Sequence, residues 1–328
     1  MDEKLKELLQ KQHYALVGKH SAVKLCRWTK KSLEDEGFCY KQQFYGIRSH
    51  LCCQMTPALG YCQNNCVYCW RIARHAIKKL DQADAPDVLF TGCVEAQQRL
   101  ISGFGGTHKS NKEKWKAAYQ PEHFAISLSG EPTMYPRLSE FIRVLKLKKK
   151  TSFLVSNGML PEVLAKIEMP TQLYVSLSAP AEALFKKINQ PMLADGWQRL
   201  NKSLAVLHDL RMSTRTTLRA TLIKGLNMVD ADKWAELVEI AQPKFLEMKA
   251  YMYVGASREN LALENMPLHN EVKGFAEEVE AVSRYKIIAE KPESRVVLMM
   301  EKDSKDRMLA LQDGKILIGN GFSCCHGK

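Results

Sequence analysis

Apolar residues in the second half of the chain come in short unbroken runs separated by amphipathic stretches. His123 to Ser129, Thr151 to Ser156, Gln172 to Ser178, Thr214 to Leu222 and Phe245 to Val254 have strand length. They are apolar at nearly every position, as expected of strands buried on both faces. The intervening stretches near 137–149, 160–168, 195–211 and 230–242 carry helical spacing. Strand, helix, strand in repetition predicts right-handed parallel units, and hence an α/β fold built as an open or closed parallel barrel.

The flanks are less regular. Residues 2–17 read as an amphipathic helix, and 24–60 as a poorly periodic segment with four cysteines, expected to be held by metal rather than by packing. A helix is predicted near 86–103. Gly103 to Tyr119, rich in Gly and Lys, reads as an exposed insertion. Toward the C-terminus the pattern predicts a helix near 268–283 and strands near 285–290 and 294–300. No solenoid repeat or low-complexity linker interrupts the chain, which divides into 1–44 (N-terminal helix and cysteine-bearing extension), 45–255 (barrel) and 256–328 (small C-terminal extension).

With 328 residues, 45% hydrophobic and 26% charged, the chain has material for a large core and is no disordered tail. Its 48 Lys and Arg against 36 Asp and Glu give a net charge of +12. That excess suits a polyanion such as nucleic acid, although a lysine-rich surface produces it too. Lys109, Lys112, Lys114 and Lys116 in the insertion are the first candidates for phosphate contacts. Lys146, Lys148, Lys149 and Lys150 are less persuasive, because lysines that end a helix complement its dipole and need no nucleic acid to explain them. The charged N-terminus has no secretory pattern, and no stretch approaches the roughly 20 apolar residues of a membrane span. A cytoplasmic protein without membrane contact is expected, so ten cysteines point to metal or redox chemistry rather than disulfides.

Cys62, Cys66 and Cys69 form C-x3-C-x2-C within Gly-Tyr-Cys-Gln-Asn-Asn-Cys-Val-Tyr-Cys-Trp. Thiolates suit zinc or an iron-sulfur cluster. A closed zinc site wants four ligands, commonly two C-x2-C pairs, and no second pair occurs. Three ligands leave one iron of a cubane open to chelate the amino and carboxylate groups of a methionine moiety. Ser129-Gly130-Glu131-Pro132, Ser156-Asn157-Gly158 and Ser176-Leu177-Ser178 directly follow apolar strands, the end of a parallel barrel where chemistry sits. Cys26, Cys39 and Cys52 precede the first set at even spacings that no helical or strand period explains. Cys93 reads as a core helix residue, and Cys53 points away from Cys52 in an extended segment. The vicinal Cys324 and Cys325 before His326 read as incidental.

On these residues the chain resembles the radical S-adenosylmethionine superfamily over about 45–255. That resemblance implies a partial parallel (β/α)6 TIM-like barrel with the cluster loop after its first strand. Ser129-Gly130-Glu131-Pro132 resembles the family's Gly-Gly-Glu-Pro element, with serine for the first glycine, and implies that it holds the methionine amino group. Tyr68 is implied near the adenine. Asn157 and Ser178, with Arg219 behind them, are implied at the ribose or carboxylate. The fuller pattern C-x12-C-x12-C-x9-C-x3-C-x2-C resembles the wyosine-base tRNA enzymes, the 4-demethylwyosine synthases, in the archaeal form without a flavodoxin-like domain.

This closer resemblance implies a carbon-carbon lyase acting on tRNA-Phe that carries N1-methylguanosine at position 37, with pyruvate as the two-carbon donor. It implies two [4Fe-4S] clusters, S-adenosyl-L-methionine and an external one-electron donor. The cluster on Cys62, Cys66 and Cys69 generates a 5'-deoxyadenosyl radical that takes hydrogen from the N-methyl group, and the methylene radical adds to pyruvate. The cluster on Cys26, Cys39 and Cys52 binds pyruvate at its open iron, and Lys41 is the candidate for a Schiff base with the pyruvate carbonyl. Two alternatives stay open on the residues alone. One is a radical enzyme with another substrate; the other is a non-catalytic iron-sulfur RNA-binding redox sensor.

Overall fold

The computed structural model describes residues 3–71, 80, 82–309, 311–312 and 315–316. The apolar runs become one sheet: β1 (Ala15–Val17), β2 (Ser21–Val23), β3 (Cys52–Thr56), β4 (His123–Ile126), β5 (Thr151–Ser156), β6 (Gln172–Leu177), β7 (Arg215–Leu222), β8 (Phe245–Ala250), β9 (Lys286–Lys291) and β10 (Val296–Met300). Their spatial order is β1-β2-β3-β4-β5-β6-β7-β8-β10-β9. Strands β3 to β8 pair in parallel, each with its sequence neighbour. Antiparallel β2 takes the free edge of β3, and antiparallel β10 that of β8. A strand has two edges, so β3 and β8 have none left for each other and the six-stranded barrel stays open between them.

The helices are α1 (Glu3–Lys11), α2 (Arg27–Leu33), α3 (Tyr40–Tyr45), α4 (Pro86–Ile101), α5 (Lys112–Ala118), α6 (Leu138–Leu147), α7 (Pro161–Leu164), α8 (Glu182–Asn189), α9 (Gly196–Asp209), α10 (Ala231–Ala241) and α11 (His269–Ala281). Alternate strand residues Cys53, Met55, Leu154, Leu173, Val175, Leu218 and Leu246 face outward. They form one core with Leu89, Phe141, Leu204, Val238 and Phe275 of the surrounding helices. The residues between them face inward, the two-residue period of a pleated strand.

Three expectations need correction. The helix of 2–17 ends at Lys11, because His13 adopts φ +61° and Ala15–Val17 pairs with Ser21–Val23 as a hairpin. The run Tyr14 to Val17 continues the apolar period by coincidence. Segment 24–60 is held by packing: Leu33, Phe44, Tyr45, Ile47 and Leu51 are all at most 2% exposed. Each such burial contributes about 1.5–3 kcal/mol. The insertion 103–119 is docked, since Asn111 caps α5 by accepting from Lys114 N, and Ala118 packs with Leu25, Leu33 and Ile101. Helix α8 also lies where no helix was expected.

Candidate active site

The loop after β3 carries Cys62, Cys66 and Cys69 across the C-terminal ends of the strands. It is pinned by its own backbone: Asn65 N donates to Gln190 O at 3.2 Å, Val67 N to Ile188 O at 2.9 Å, and Gln63 O accepts from Met192 N at 2.8 Å. Amide groups point at the sulfurs. The backbone N–H of Asn64 reaches Cys62 and that of Arg71 reaches Cys69. Asn157 Nδ2 donates to Cys62 Sγ at 3.4 Å and Asn189 Nδ2 to Cys66 Sγ at 3.7 Å. Burial, with neighbouring Glu131, pushes the Cys62 thiol up to about 12. Burial, with Cys62 and Cys69 alongside, pushes Cys66 well above the ordinary thiol value. A buried Cys62 and partly buried Cys66 and Cys69, surrounded by N–H donors, ionise together only when a cation compensates them, which is the donor set of an iron-sulfur corner. Among the described residues no three His, Cys, Asp or Glu side chains close tightly enough to hold one metal ion. A cubane takes one thiolate per iron and needs the wider spread.

The polar strand ends converge on this loop. Gly130 sits at φ +70°, and a Cβ there would lie 2.0 Å from Ala58 O and 2.7 Å from Tyr61 O, so only glycine brings this turn against the cluster loop. Glu131 N then donates to Tyr61 O at 2.7 Å. The buried Glu131 carboxylate accepts from Asn157 N at 2.6 Å, Thr133 N at 3.1 Å and Thr133 Oγ1 at 2.6 Å, with Pro132 opening the short helical turn that presents Thr133. Burial raises its pKa, and those hydrogen bonds oppose the rise. Ser129 is buried, and its carbonyl accepts from Thr56 Oγ1. Ser178 lies one step behind the loop: its Oγ donates to Asn189 Oδ1 at 2.5 Å, and Asn189 reaches Cys66. Tyr68 is half-buried beside Ile188, Ile223 and Tyr251, with its hydroxyl toward Cys66 and Ser178.

The second set of cysteines lies on the barrel's inward side. Cys52 and Gln54 point inward from β3, while Cys53 points outward to Cys93 of α4, whose carbonyl lies 3.9 Å from its sulfur. Cys26 precedes α2 and Cys39 precedes α3, and neither side chain caps its helix. Burial and the nearby Cys26 push Cys39 up to about 11, and burial with Cys26 and Cys39 pushes Cys52 well above its ordinary value, so the three thiols sense one another. The backbone N–H of Lys41 reaches Cys39. Helix α3 plugs the interior. Its Lys41 is buried, with Nζ 4.5 Å from the Tyr174 ring centroid and 4.6 Å from that of Phe153. Tyr40 and Tyr45 donate to the two oxygens of fully buried Glu247 at 3.0 and 2.7 Å. Inward-facing Gln54, Val155, Ser176, Thr221 and Lys249 keep partial exposure within a fully paired sheet, so the interior holds open space rather than a filled core.

Arg219 is engaged inside this layer: Nε donates to Glu247 at 2.8 Å and Nη2 to Tyr40 Oη at 2.7 Å, which ties it to α3 rather than to a strand-end ligand. Glu247, Lys249, Tyr174 and Asn189 were missed by sequence reasoning. The signal for Glu247 and Lys249 was the pair of charges two apart in Phe-Leu-Glu-Met-Lys-Ala, the mark of an inward face that is not greasy. In the insertion, Lys112 Nζ donates to Gly105 O and Thr107 O at 2.7 Å each, and Lys114 pairs with Asp35. Lys146 pairs with Glu168. Cys324 and Cys325 lie outside the described residues. No helix among the described residues is long and apolar enough to cross a membrane.

An open six-stranded parallel barrel with a three-cysteine loop after its first strand and a buried Gly-Glu-Pro turn against that loop defines a radical S-adenosylmethionine enzyme. The model of the Radical SAM superfamily matches residues 57–238, and that for wyosine base formation matches 240–301. The S-adenosyl-L-methionine-dependent tRNA 4-demethylwyosine synthase of Pyrococcus abyssi is 45% identical over 92% of this chain and 90% of its own length. A solved structure of TYW1 with a lysine-pyruvate adduct bound superposes with a TM-score of 0.85 at 38% identity, covering 94% of this chain and 99% of that one. A crystal structure of archaeal TYW1 gives 0.78 at 34%, covering 94% and 100%. The chain belongs to the tRNA 4-demethylwyosine synthase family. Membership carries with it S-adenosylmethionine and a [4Fe-4S] cluster, and sets aside both the non-catalytic redox sensor and a radical enzyme of another substrate class.

Proposed function

We propose that this enzyme builds the tricyclic 4-demethylwyosine base from N1-methylguanosine at position 37 of tRNA-Phe, with pyruvate as two-carbon donor and an external one-electron donor. The observation that carries the reading is the placement of Lys41. Its amine is buried in the barrel interior, beside the second cysteine set and against an aromatic wall, in a chain whose structural relative holds a lysine-pyruvate adduct. In this reading Cys62, Cys66 and Cys69 hold one [4Fe-4S] cluster, and Cys26, Cys39 and Cys52 hold a second. The first cluster with S-adenosylmethionine supplies one-electron cleavage of the sulfonium. Glu131 and the Gly130 turn orient the methionine amino group, Asn157 and Asn189 hold the cluster cysteines through N–H···S contacts, and Ser178 fixes Asn189. Tyr68 lines the adjoining apolar wall, against which the adenine packs.

The neutral Lys41 amine attacks the pyruvate carbonyl, forming the C=N bond of an imine as the C=O bond breaks and its oxygen leaves as water. Burial, with Arg219 alongside, lowers Lys41 to about 8 and makes the neutral amine accessible, while Arg219 and Lys249 face the single carboxylate of Glu247 and leave positive charge for a carboxylate substrate. The test is borohydride reduction of the protein with pyruvate followed by peptide mass analysis. A pyruvate-derived mass on the Lys41 peptide, absent in Lys41→Arg, is expected; the same adduct yield in Lys41→Arg overturns the assignment.

A further inference from the structure

The RNA-facing surface has a better candidate than the insertion, where two of four lysines are already engaged. Trp70 follows directly on Cys69. Its carbonyl accepts from Ala256 N at 3.2 Å, and a Cβ on Gly255 (φ +60°) would lie 2.2 Å from it. Trp70 thus joins the loop after β3 to the segment after β8, at the C-terminal end of the gap between these two strands, which do not pair with each other.

Trp70 is 38% exposed, unusual for a tryptophan fixed on both sides by backbone. Cations surround it. The Arg71 guanidinium lies 3.1 Å from its ring centroid and donates to Tyr14 Oη at 2.8 Å. Lys24 Nζ lies 4.6 Å from the Tyr14 centroid and 5.6 Å from that of Trp70. Arg71 is itself buried, so its stack fixes one face of the ring, while 38% of Trp70 stays exposed. An indole held on one face by a guanidinium, with its remaining surface in water and Lys24 nearby, is the kind of platform on which proteins bind single-stranded nucleic acid, the ring taking a base and the lysine a phosphate.

We infer that Trp70 is the stacking platform for a nucleobase flanking the modified one, with Lys24 on the neighbouring phosphate. The inference rests on the tRNA reading above and adds where the loop is gripped.

The experiment uses the reconstituted protein and an anticodon stem-loop RNA carrying N1-methylguanosine, with binding followed by fluorescence anisotropy over a range of salt. Iron is counted in every variant. Trp70→Ala is expected to keep its iron and to weaken binding about tenfold or more with an unchanged salt slope, because stacking neutralises no phosphate. Trp70→Phe keeps most of the affinity, and Lys24→Ala lowers the slope by about one. Wild-type affinity in Trp70→Ala overturns the platform. Where Trp70→Ala loses iron, tryptophan quenching by the same RNA decides: quenching undiminished in Trp70→Phe overturns the inference, and quenching lost there supports it. A wild type that does not bind the RNA overturns the tRNA reading itself.

Discussion

Replacing Glu247 with Gln keeps the shape of the side chain and removes the only carboxylate among the interior groups named above. Burial pushes the Glu247 carboxyl up, but Arg219, Lys41 and the hydrogen bonds from Tyr45 and Arg219 together outweigh it and leave the pKa below the ordinary value. The native residue is therefore an anion, 0% exposed, 2.8 Å from Arg219 Nε. Its loss strands a largely enclosed guanidinium, the Arg219 side chain being 17% exposed, which costs about 3–5 kcal/mol. For a chain of this size, with an unfolding entropy of about 0.7 kcal/mol/K, that is a fall in Tm of roughly 4–7 °C. Removing both charges, as in Arg219→Met with Glu247→Leu, is expected to recover part of the loss; Lys41 and Lys249 still lack their counter-ion, so recovery stays incomplete. The damage is local as well as global, because Tyr40 and Tyr45 anchor α3 to Glu247, and α3 follows Cys39 and carries Lys41. Iron in Glu247→Gln should fall from about eight per chain toward about four, with the C-x3-C-x2-C site still filled. Calorimetry and iron analysis on the two variants decide the matter. A single variant within 2 °C of wild type, where the scale above predicts at least about 4 °C, or losses that simply add in the double variant, would refute the reasoning.

Three further outcomes are expected. Simultaneous Cys26→Ala, Cys39→Ala and Cys52→Ala should halve the iron from about eight to about four after anaerobic reconstitution, and no loss would remove the second cluster from the account. Gly130→Ala pays about 1–2 kcal/mol for its left-handed backbone alone and must also move the cluster loop, so reductive cleavage of S-adenosylmethionine should drop together with Tm; wild-type values of both would mean the close approach is not there. Asn189→Leu removes an N–H donor to Cys66 Sγ and should lower the cluster's reduction potential at constant iron, read by redox titration with electron paramagnetic resonance; an unmoved potential would show that the donor does not act on the sulfur.

The parallel barrel was legible because buried parallel strands are apolar on both faces, a signal that Thr151–Ser156 and Gln172–Leu177 carry almost without interruption. The cluster loop was legible because its ligands are local in sequence. Less could be read where the partner is remote. The hairpin of β1 and β2 spans three residues a side, too short for a period to emerge, and α3 takes its place from contacts with β7 and β8 some 180 to 200 residues away. Segment 24–60 looked aperiodic because its apolar residues face several surfaces in turn rather than one. Asn189 was invisible because its chemistry is a contact with Cys66 across 123 residues.

The opposite facing of Cys52 and Cys53 has a consequence for how this sequence can change over time. One thiol faces the interior and its neighbour is sealed in the helix layer, so a single-residue insertion or deletion between α3 and β3 turns the strand by half a period. No conservative version of that change exists: the inward thiol would become a core atom and the apolar face would meet the cavity. The twelve-residue gap between Cys39 and Cys52 is thus a length under constraint even where its individual letters are free to drift.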